Sequence, residues 1–286
     1  MNLLQKTIFG KLYATHGYQF AYSTVKLFDS SIYAAEIENS LSQTLNVGFV
    51  GNSLNTSAIT SFANSNNAYY KSLYDQANKL GNINSKSDVL RPYATNTSFQ
   101  GIDYVRDSAQ ESGFVRQDDI DFNTGNDWIV DYVFRNETLN GNQRTNFIIA
   151  SDMLGRETMI SCCINPSGAS YIIGIKYLSS NRNSQMSDVA YGIARNSNYF
   201  LFTYAYIGGV FRFYYNGIEV TSTTTNFNVG GINLKGIYIG VGYSSGSLQY
   251  GKINDFKTLS LFTGQDLSGY NIIGHINNLK TKHSII

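Results

Sequence analysis

Asn216 and Gly217 stand between two runs of β-forming side chains. An Asn-Gly pair in that setting is the strongest short-range hairpin signal, because a two-residue turn of matching twist needs positive φ at both central positions. The run before it, Val210–Tyr215, and the run after it, 218–224, are therefore expected to pair antiparallel. A polar link then leads to 236–242, a Ser/Gly turn, and 249–257. Strand, hairpin, strand, Gly-rich turn and strand, in that order, read as one sheet of an antiparallel sandwich.

The composition fits that reading. With only 2 prolines, the turns must come from Gly, Asn, Asp and Ser. Tyr (22) and Phe (17) against a single Trp is an amphipathic aromatic usage suited to sheets. At 286 residues and 42% hydrophobic content the chain can bury a large core. The formal charge is +1 and only 14% of residues are charged, well under the usual quarter. A near-neutral surface lacks the basic stripe that a nucleic acid requires. It suits hydrogen bonding to neutral polar ligands such as sugars, or a crowded protein assembly. The two cysteines, Cys162 and Cys163, are adjacent and would point to opposite faces of a strand, so no disulfide framework is implied. Positions 1–20 lack the continuous apolar core of a secretory signal, and no stretch is long and apolar enough to insert into a membrane.

Upstream, 32–38 and 44–50 read as a strand pair, and Asn55 with Ser57 caps a short helix over 58–63. Strands follow at 68–74, at 127–134 (with Trp128 in the core), at 146–150, 159–164, 170–177 and 199–206. The middle, 83–122, reads as irregular, and 266–279 as a closing turn or short helix. The first fifteen residues carry Leu3, Leu4, Ile8, Phe9 and Leu12 near helical spacing, weakened by Gly10. The expected division is an attachment segment at 1–19 followed by one β-sandwich domain at 20–286.

Several of these pieces resemble known families. Tyr214-Tyr-Asn-Gly217, the strand around Gly236 to Gly240, the run from Gly251 to Lys257 and the terminal turn from Leu259 to Leu267 are similar, in order, to the end of concanavalin-like and laminin-G-like jelly rolls. Ala21 to Leu27, Asn46 to Phe49, Leu54 to Phe62 and Tyr74-Asp-Gln76 resemble the N-terminal part of the α-L-arabinofuranosidase B type catalytic domain, and phage proteins that carry that domain. The glycine-rich tail that follows Tyr-Asp-Gln in the family is degraded here to Ala77 to Asn82. The resemblance implies an all-β jelly roll. In arabinofuranosidases of this type the nucleophile is a Glu in a strand after an adjacent Cys-Cys pair, and the acid is an Asp in a Gly-rich turn, the two carboxyls that retaining glycosidases need. Here the strand after Cys162-Cys163, at 169–177, and the turn at 240–246 contain no Asp or Glu. Asp152 and Glu157 lie nearby in sequence and would have to serve if the site had moved.

Other candidate sites are weaker in kind. Asp118, Asp119 and Asp121 offer hard oxygen ligands for a Ca²⁺ ion, although the spacing is not that of an EF-hand. Asn181 and Asn183, and Tyr243, Ser244 and Ser245, lie in polar loops that could hold a sugar by stacking and hydrogen bonds, or serve as a protein interface. His16, His275 and His283 are scattered and read as structural or exposed. No phosphate loop is present.

The resemblance thus implies a non-enzymatic virion protein, made in a host cytoplasm: a fibre, spike, tail or head-decoration subunit. Its partners would be other virion proteins and its own copies, as a trimer, with host-surface glycans as ligands. The alternatives are a glycosidase with relocated carboxylates and a free carbohydrate-binding module. Burying the five apolar side chains at 1–15 could contribute about 1.5–3 kcal/mol each before ordering costs, enough to hold a subunit on a particle. Deleting 2–15 is therefore expected to lower incorporation into particles, measured against the intact chain; unchanged incorporation of a folded truncated protein would assign the segment to its own domain.

Overall fold

The computed structural model describes residues 16–64, 67–85, 94, 113–123, 126–136, 147–150, 159–167, 170–178, 184–194, 196–220, 233–244, 247–250 and 255–286. In chain order the strands are β1 (His16–Ser23), β2 (Tyr33–Asn39), β3 (Thr44–Val50), β4 (Ser53–Leu54), β5 (Ala68–Leu73), β6 (Ile83–Ser85), β7 (Phe114–Asn123), β8 (Asp127–Asn136), β9 (Phe147–Ala150) and β10 (Met159–Ser167). They continue with β11 (Ser170–Leu178), β12 (Ser184–Ala194), β13 (Asn196–Ile207), β14 (Val210–Tyr215), β15 (Ile218–Val220), β16 (Asn233–Ile239), β17 (Val241–Ser244), β18 (Ser247–Tyr250) and β19 (Asp255–Gly264). The helices are α1 (Thr56–Ala63) and α2 (Ile272–His283).

These strands form an antiparallel β-sandwich, as expected. One sheet runs β1-β19-β8-β13-β14-β15, and the other runs β12-β11-β10-β9-β16-β7-β6-β5-β2-β3-β4, with β17 and β18 as a separate hairpin. The Asn216-Gly217 turn joins β14 to β15 with φ of 47° and 88°, and Asn216 Oδ1 accepts from Leu201 N–H. β2 pairs with β3 and β5 as the hydrophobic pattern requires. Asn55 caps α1, its side chain accepting from Ala58 N–H.

Alternation along the strands of the smaller sheet sets the core. Trp128, Val130, Tyr132 and Phe134 of β8, Phe200, Phe202 and Tyr204 of β13, and Phe20 and Tyr22 of β1 point into the space between the sheets. There they meet Ala35 and Ile37 of β2, Tyr70 and Leu73 of β5, and Ile237 and Ile239 of β16. Rings pack at 4.8 Å between Tyr132 and Phe134, which stack, and at 4.9 Å between Phe134 and Phe202, which are tilted. The opposite face of the same sheet is also buried. Ile129 and Val133 of β8, Leu201 and Ala205 of β13, and Phe262 of β19 pack under Ile272, Ile276 and Leu279 of α2.

Four expectations need correction. Leu259 to Leu267 is no terminal turn: Leu259, Leu261 and Phe262 are interior residues of β19, which pairs with both β1 and β8 and needs their apolar side chains on both faces. The stretch to 122 is not wholly irregular, since β7 carries Asp118, Asp119 and Asp121 into the larger sheet against β16. Gly240, at φ 78°, breaks the expected 236–242 strand into β16 and β17. β1 begins at His16, so the sheet reaches into the segment assigned to 1–19. Tyr18 packs edge-on against Phe28 and Phe262 at 5.2 Å each, and Gln19 Nε2 donates to Thr263 Oγ1. Residues 1–15, with Leu3, Leu4, Ile8, Phe9 and Leu12, lie outside the described residues.

The Tyr74-Asp75-Gln76 motif is a joint between the sheets. Asp75 is buried, and its Oδ1 accepts from Ala21 N–H and Ala77 N–H while its Oδ2 accepts from the N–H groups of Lys79, Leu80 and Gly81. Gln76 Oε1 accepts from Leu27 N–H, and its Nε2 donates to Ser23 and Val25 carbonyls. Two adjacent side chains thereby satisfy the backbone where β1 of one sheet meets the end of β5 of the other. An unsatisfied buried backbone group costs about 1–3 kcal/mol, so Asp75→Ala should destabilise the fold by at least about 3 kcal/mol in urea titrations. Asp75→Asn, which keeps one acceptor oxygen, should fall between the two; a midpoint unchanged in Asp75→Ala would contradict this role.

Candidate functional site

The positions singled out from the sequence fall into three groups. Cys162 and Cys163 are consecutive residues of β10, opposite Ile175 and Gly174 of β11. β11 is thus the strand that follows the Cys-Cys pair, and it contains no carboxylate. The second family position straddles the bend at Gly240 and the hairpin β17–β18, where Tyr243 pairs with Leu248 and Ser244 with Ser247. Tyr243 and Ser244 are therefore strand residues at a hairpin end, and their side chains, like those of Asp118, Asp119 and Asp121, lie outside what is described. In backbone register, Asp118 and Asp119 stand between the pairs Gln117↔Gly236 and Ile120↔Leu234, two residues opposite the single Lys235, which makes a bulge. Asn181, Asn183, Ser245, Asp152 and Glu157 lie outside the described residues.

A buried polar centre lies under α2. Asp131, on β8 and fully buried, accepts from Thr203 Oγ1 at 2.8 Å and Ser260 Oγ at 3.3 Å, and its Oδ2 lies 2.7 Å from His275 Nε2. The other ring nitrogen, Nδ1, is 2.9 Å from the Tyr270 hydroxyl. A ring that donates from Nε2 to the carboxylate can accept the tyrosine O–H at Nδ1, so both nitrogens and both carboxylate oxygens are satisfied. This Tyr-His-Asp chain has the residue types of a proton relay, but Asp131 and His275 are closed off from solvent between sheet and helix. Its work is to dock α2. Nothing in the local sequence signals it, because Asp131 and His275 are 144 residues apart.

Further along α2, His283 is wholly buried with Nε2 3.0 Å from Thr258 Oγ1, which in turn shares a 2.7 Å bond with Ser23 Oγ. Burial first, and then the neighbouring Lys257 and Lys282 ammoniums, push its pKa down to about 3.

The solvent face of the larger sheet at β2, β3 and β5 is different. Glu36 and Glu38 of β2 point away from the inter-sheet core, and Lys71 of β5 lies between them, 3.3 Å from the first carboxylate and 3.9 Å from the second. Beside them the Tyr74 hydroxyl donates to Asn46 Oδ1 at 2.8 Å. Partial burial first, then the Glu36 carboxylate and Tyr33, hold that phenol above its ordinary pKa, so it stays a proton donor. The Tyr33 ring leans on Tyr74 at 6.0 Å and is 43% exposed. Sequence reading took these residues as an ordinary strand pair; the signal lay in the polar members of the alternation.

By sequence, no family model and no curated protein matches the chain. By fold, it is similar to a GH54 α-L-arabinofuranosidase soaked with a cyclic sulfate inhibitor, with a TM-score of 0.64 and 12% identity over 96% of this chain. The mutant of a GH54 α-L-arabinofuranosidase soaked with 4-nitrophenyl α-L-arabinofuranoside gives 0.65 at 13% identity, and an arabinofuranosidase complexed with arabinofuranosyl-α-1,2-xylobiose gives 0.59 at 14%. This chain spans 64% of the length of each of those proteins. At such identities the likeness is one of fold.

The buried His283 makes the fold acid-sensitive. Its folded pKa of about 3 lies below the ordinary 6.5, so between those values the unfolded chain binds a proton that the folded chain does not. Its contribution is fully present above pH 6.5 and is lost progressively as pH falls toward 3. Denaturation measured along that range should show a shallower loss for His283→Asn than for the parent chain. An equally steep loss in the variant would assign the acid sensitivity to other groups.

Proposed function

We propose that this chain is a non-enzymatic glycan-binding β-sandwich carried on a phage virion, as a fibre, spike, tail or head-decoration subunit. The observation that carries the sugar-binding part is the likeness of fold, across 96% of the chain, to arabinofuranosidases solved with a furanoside or an arabinofuranosyl oligosaccharide. The near-neutral charge and the composition rich in Asn, Ser and Tyr support it. The non-enzymatic part rests on residues. A retaining glycosidase needs a nucleophile and an acid flanking the sugar, and neither β11 nor 240–246 supplies an Asp or Glu. The virion part rests on the sequence resemblance to phage proteins of this type and on the apolar residues at 1–15, which suit attachment to a neighbouring subunit. A trimer would multiply weak individual contacts, both to the particle and to a glycan-coated surface.

Two measurements test this reading. The purified chain should release no 4-nitrophenol from 4-nitrophenyl α-L-arabinofuranoside above the uncatalysed rate, and it should retain oligosaccharides on a glycan array. Turnover that disappears in Glu157→Gln would establish a relocated active site in place of the proposed one.

A further inference from the structure

Resting on the sugar-binding reading, we propose that the solvent face of β2, β3 and β5, centred on Tyr33, Glu36, Asn46 and Lys71, is a binding site for a neutral glycan. This face is remote in sequence from both positions at which the family carries its catalytic carboxylates.

A sugar ring presents an apolar C–H face and a rim of hydroxyls that both donate and accept. A site for it therefore needs an accessible aromatic ring next to fixed acceptors and donors. Tyr33 supplies the ring: it is 43% exposed at the start of β2, with Ile32 beside it 70% exposed. The ring is held in place. It leans on Tyr74, and opposite it in register stands Gly48, where a Cβ would come within 2.8 Å of the Ile32 carbonyl oxygen. A side chain at position 48 would push β3 away from Ile32 and Tyr33.

The polar groups are fixed in the same way. Tyr74 donates to Asn46 Oδ1, which orients the amide so that its N–H groups, without a partner among the described residues, remain for a ligand oxygen. Glu36 sits opposite Asn46 in register, one strand over. Its carboxylate accepts only, so it takes sugar O–H donors in charge-assisted bonds. Lys71 bridges Glu36 and Glu38 and has donors left for a hydroxyl oxygen.

Charge selects the class of sugar. Among the described residues of this face, two carboxylates, Glu36 and Glu38, share the one ammonium of Lys71. A sialic or uronic acid brought here would face both carboxylates, and like charges in juxtaposition exclude the wrong partner. A neutral sugar meets no such penalty.

The test is a glycan array holding neutral arabinose-, galactose- and glucose-terminated oligosaccharides alongside sialylated and uronic-acid-containing ones. It is probed with the full chain, Tyr33→Ala and Glu36→Gln, each checked for an unchanged denaturation midpoint. The expected result is retention of neutral glycans by the parent chain and a loss of about tenfold or more in affinity for each variant. Glu36→Gln keeps the shape of the side chain and so remains informative if Tyr33→Ala is unstable. Neutral-glycan binding left intact in both variants would overturn this site while leaving sugar binding by the chain standing. Binding of acidic glycans alone would overturn the ligand class. Binding of no glycan at all by the parent chain would remove both this site and the reading beneath it.

Discussion

The central strand β8 is covered on both faces, and the rest of the smaller sheet is arranged around the consequences. Its even-numbered residues from Trp128 to Phe134 fill the inter-sheet core, while Ile129 and Val133 lie under α2. Asp131 shares that second face and is fully buried. A buried carboxylate without partners costs several kcal/mol, so the fold has to bring donors to it. Thr203 and Ser260 come from the neighbouring strands β13 and β19, and His275 comes from the helix above. Position and rotation of α2 follow from that demand. With His275 over Asp131, the 3.6-residue period puts Ile272, Ile276 and Leu279 onto the apolar part of the sheet and His283 beside Thr258. At the end of the helix, Lys282 reaches the carbonyls of Lys26 and Leu27.

The joint at Asp75-Gln76 does for the seam between the sheets what Asp131 does for the helix. In each case one buried acid gathers donors from segments far apart in sequence. At Asp75 the donors are backbone N–H groups, and the 77–81 loop curls around the carboxylate with Asn78 and Gly81 at positive φ. This gives the Tyr-Asp-Gln motif a physical meaning that does not involve chemistry on a substrate. A sandwich can carry this motif because its sheets need joining at that corner, independently of any chemistry elsewhere. The degraded glycine-rich tail is consistent with that: Lys79 and Leu80 still give their N–H groups to Asp75, which needs backbone donors and not particular side chains.

How much could be read from the sequence follows the range of the interactions. Local devices were legible. The Asn216-Gly217 turn, the Asn55 cap and the β2–β3 pairing depend on residues a few positions apart, and each appears in the structure where its pattern places it. Non-local demands were not. The resemblance implied a closing turn over 259–267, and only pairing with β1 and β8 reveals a strand buried on both faces. The acidic residues in β7 looked like a loop, since nothing local says that β16 and β6 lie on either side. His275 could be read only as structural or exposed, because its partner is across the fold. The polar residues of β2 and β3, with Lys71 of β5 and Tyr74, looked like members of ordinary strands, because only the sheet brings them onto one face.

That face is open for a reason set by the same architecture. A sandwich has two outer surfaces on which a ligand could lie. On the smaller sheet, α2 occupies the outer surface and its hydrogen bonds to Asp131 and Thr258 keep it there. On the larger sheet, Tyr238 of β16, between the inward Ile237 and Ile239, is fully buried as well. Toward the β2–β3–β5 end, charged and hydroxylated side chains replace apolar ones at the outward positions, with the Lys71 side chain 42% exposed and Glu36 24%. The inward positions there, Ala35, Ile37, Val47 and Tyr70, are packed into the core with Ile59 of α1 beneath them. Rigid backing under a polar, aromatic surface is what a binding site requires, because groups already held in place lose little freedom when a ligand arrives.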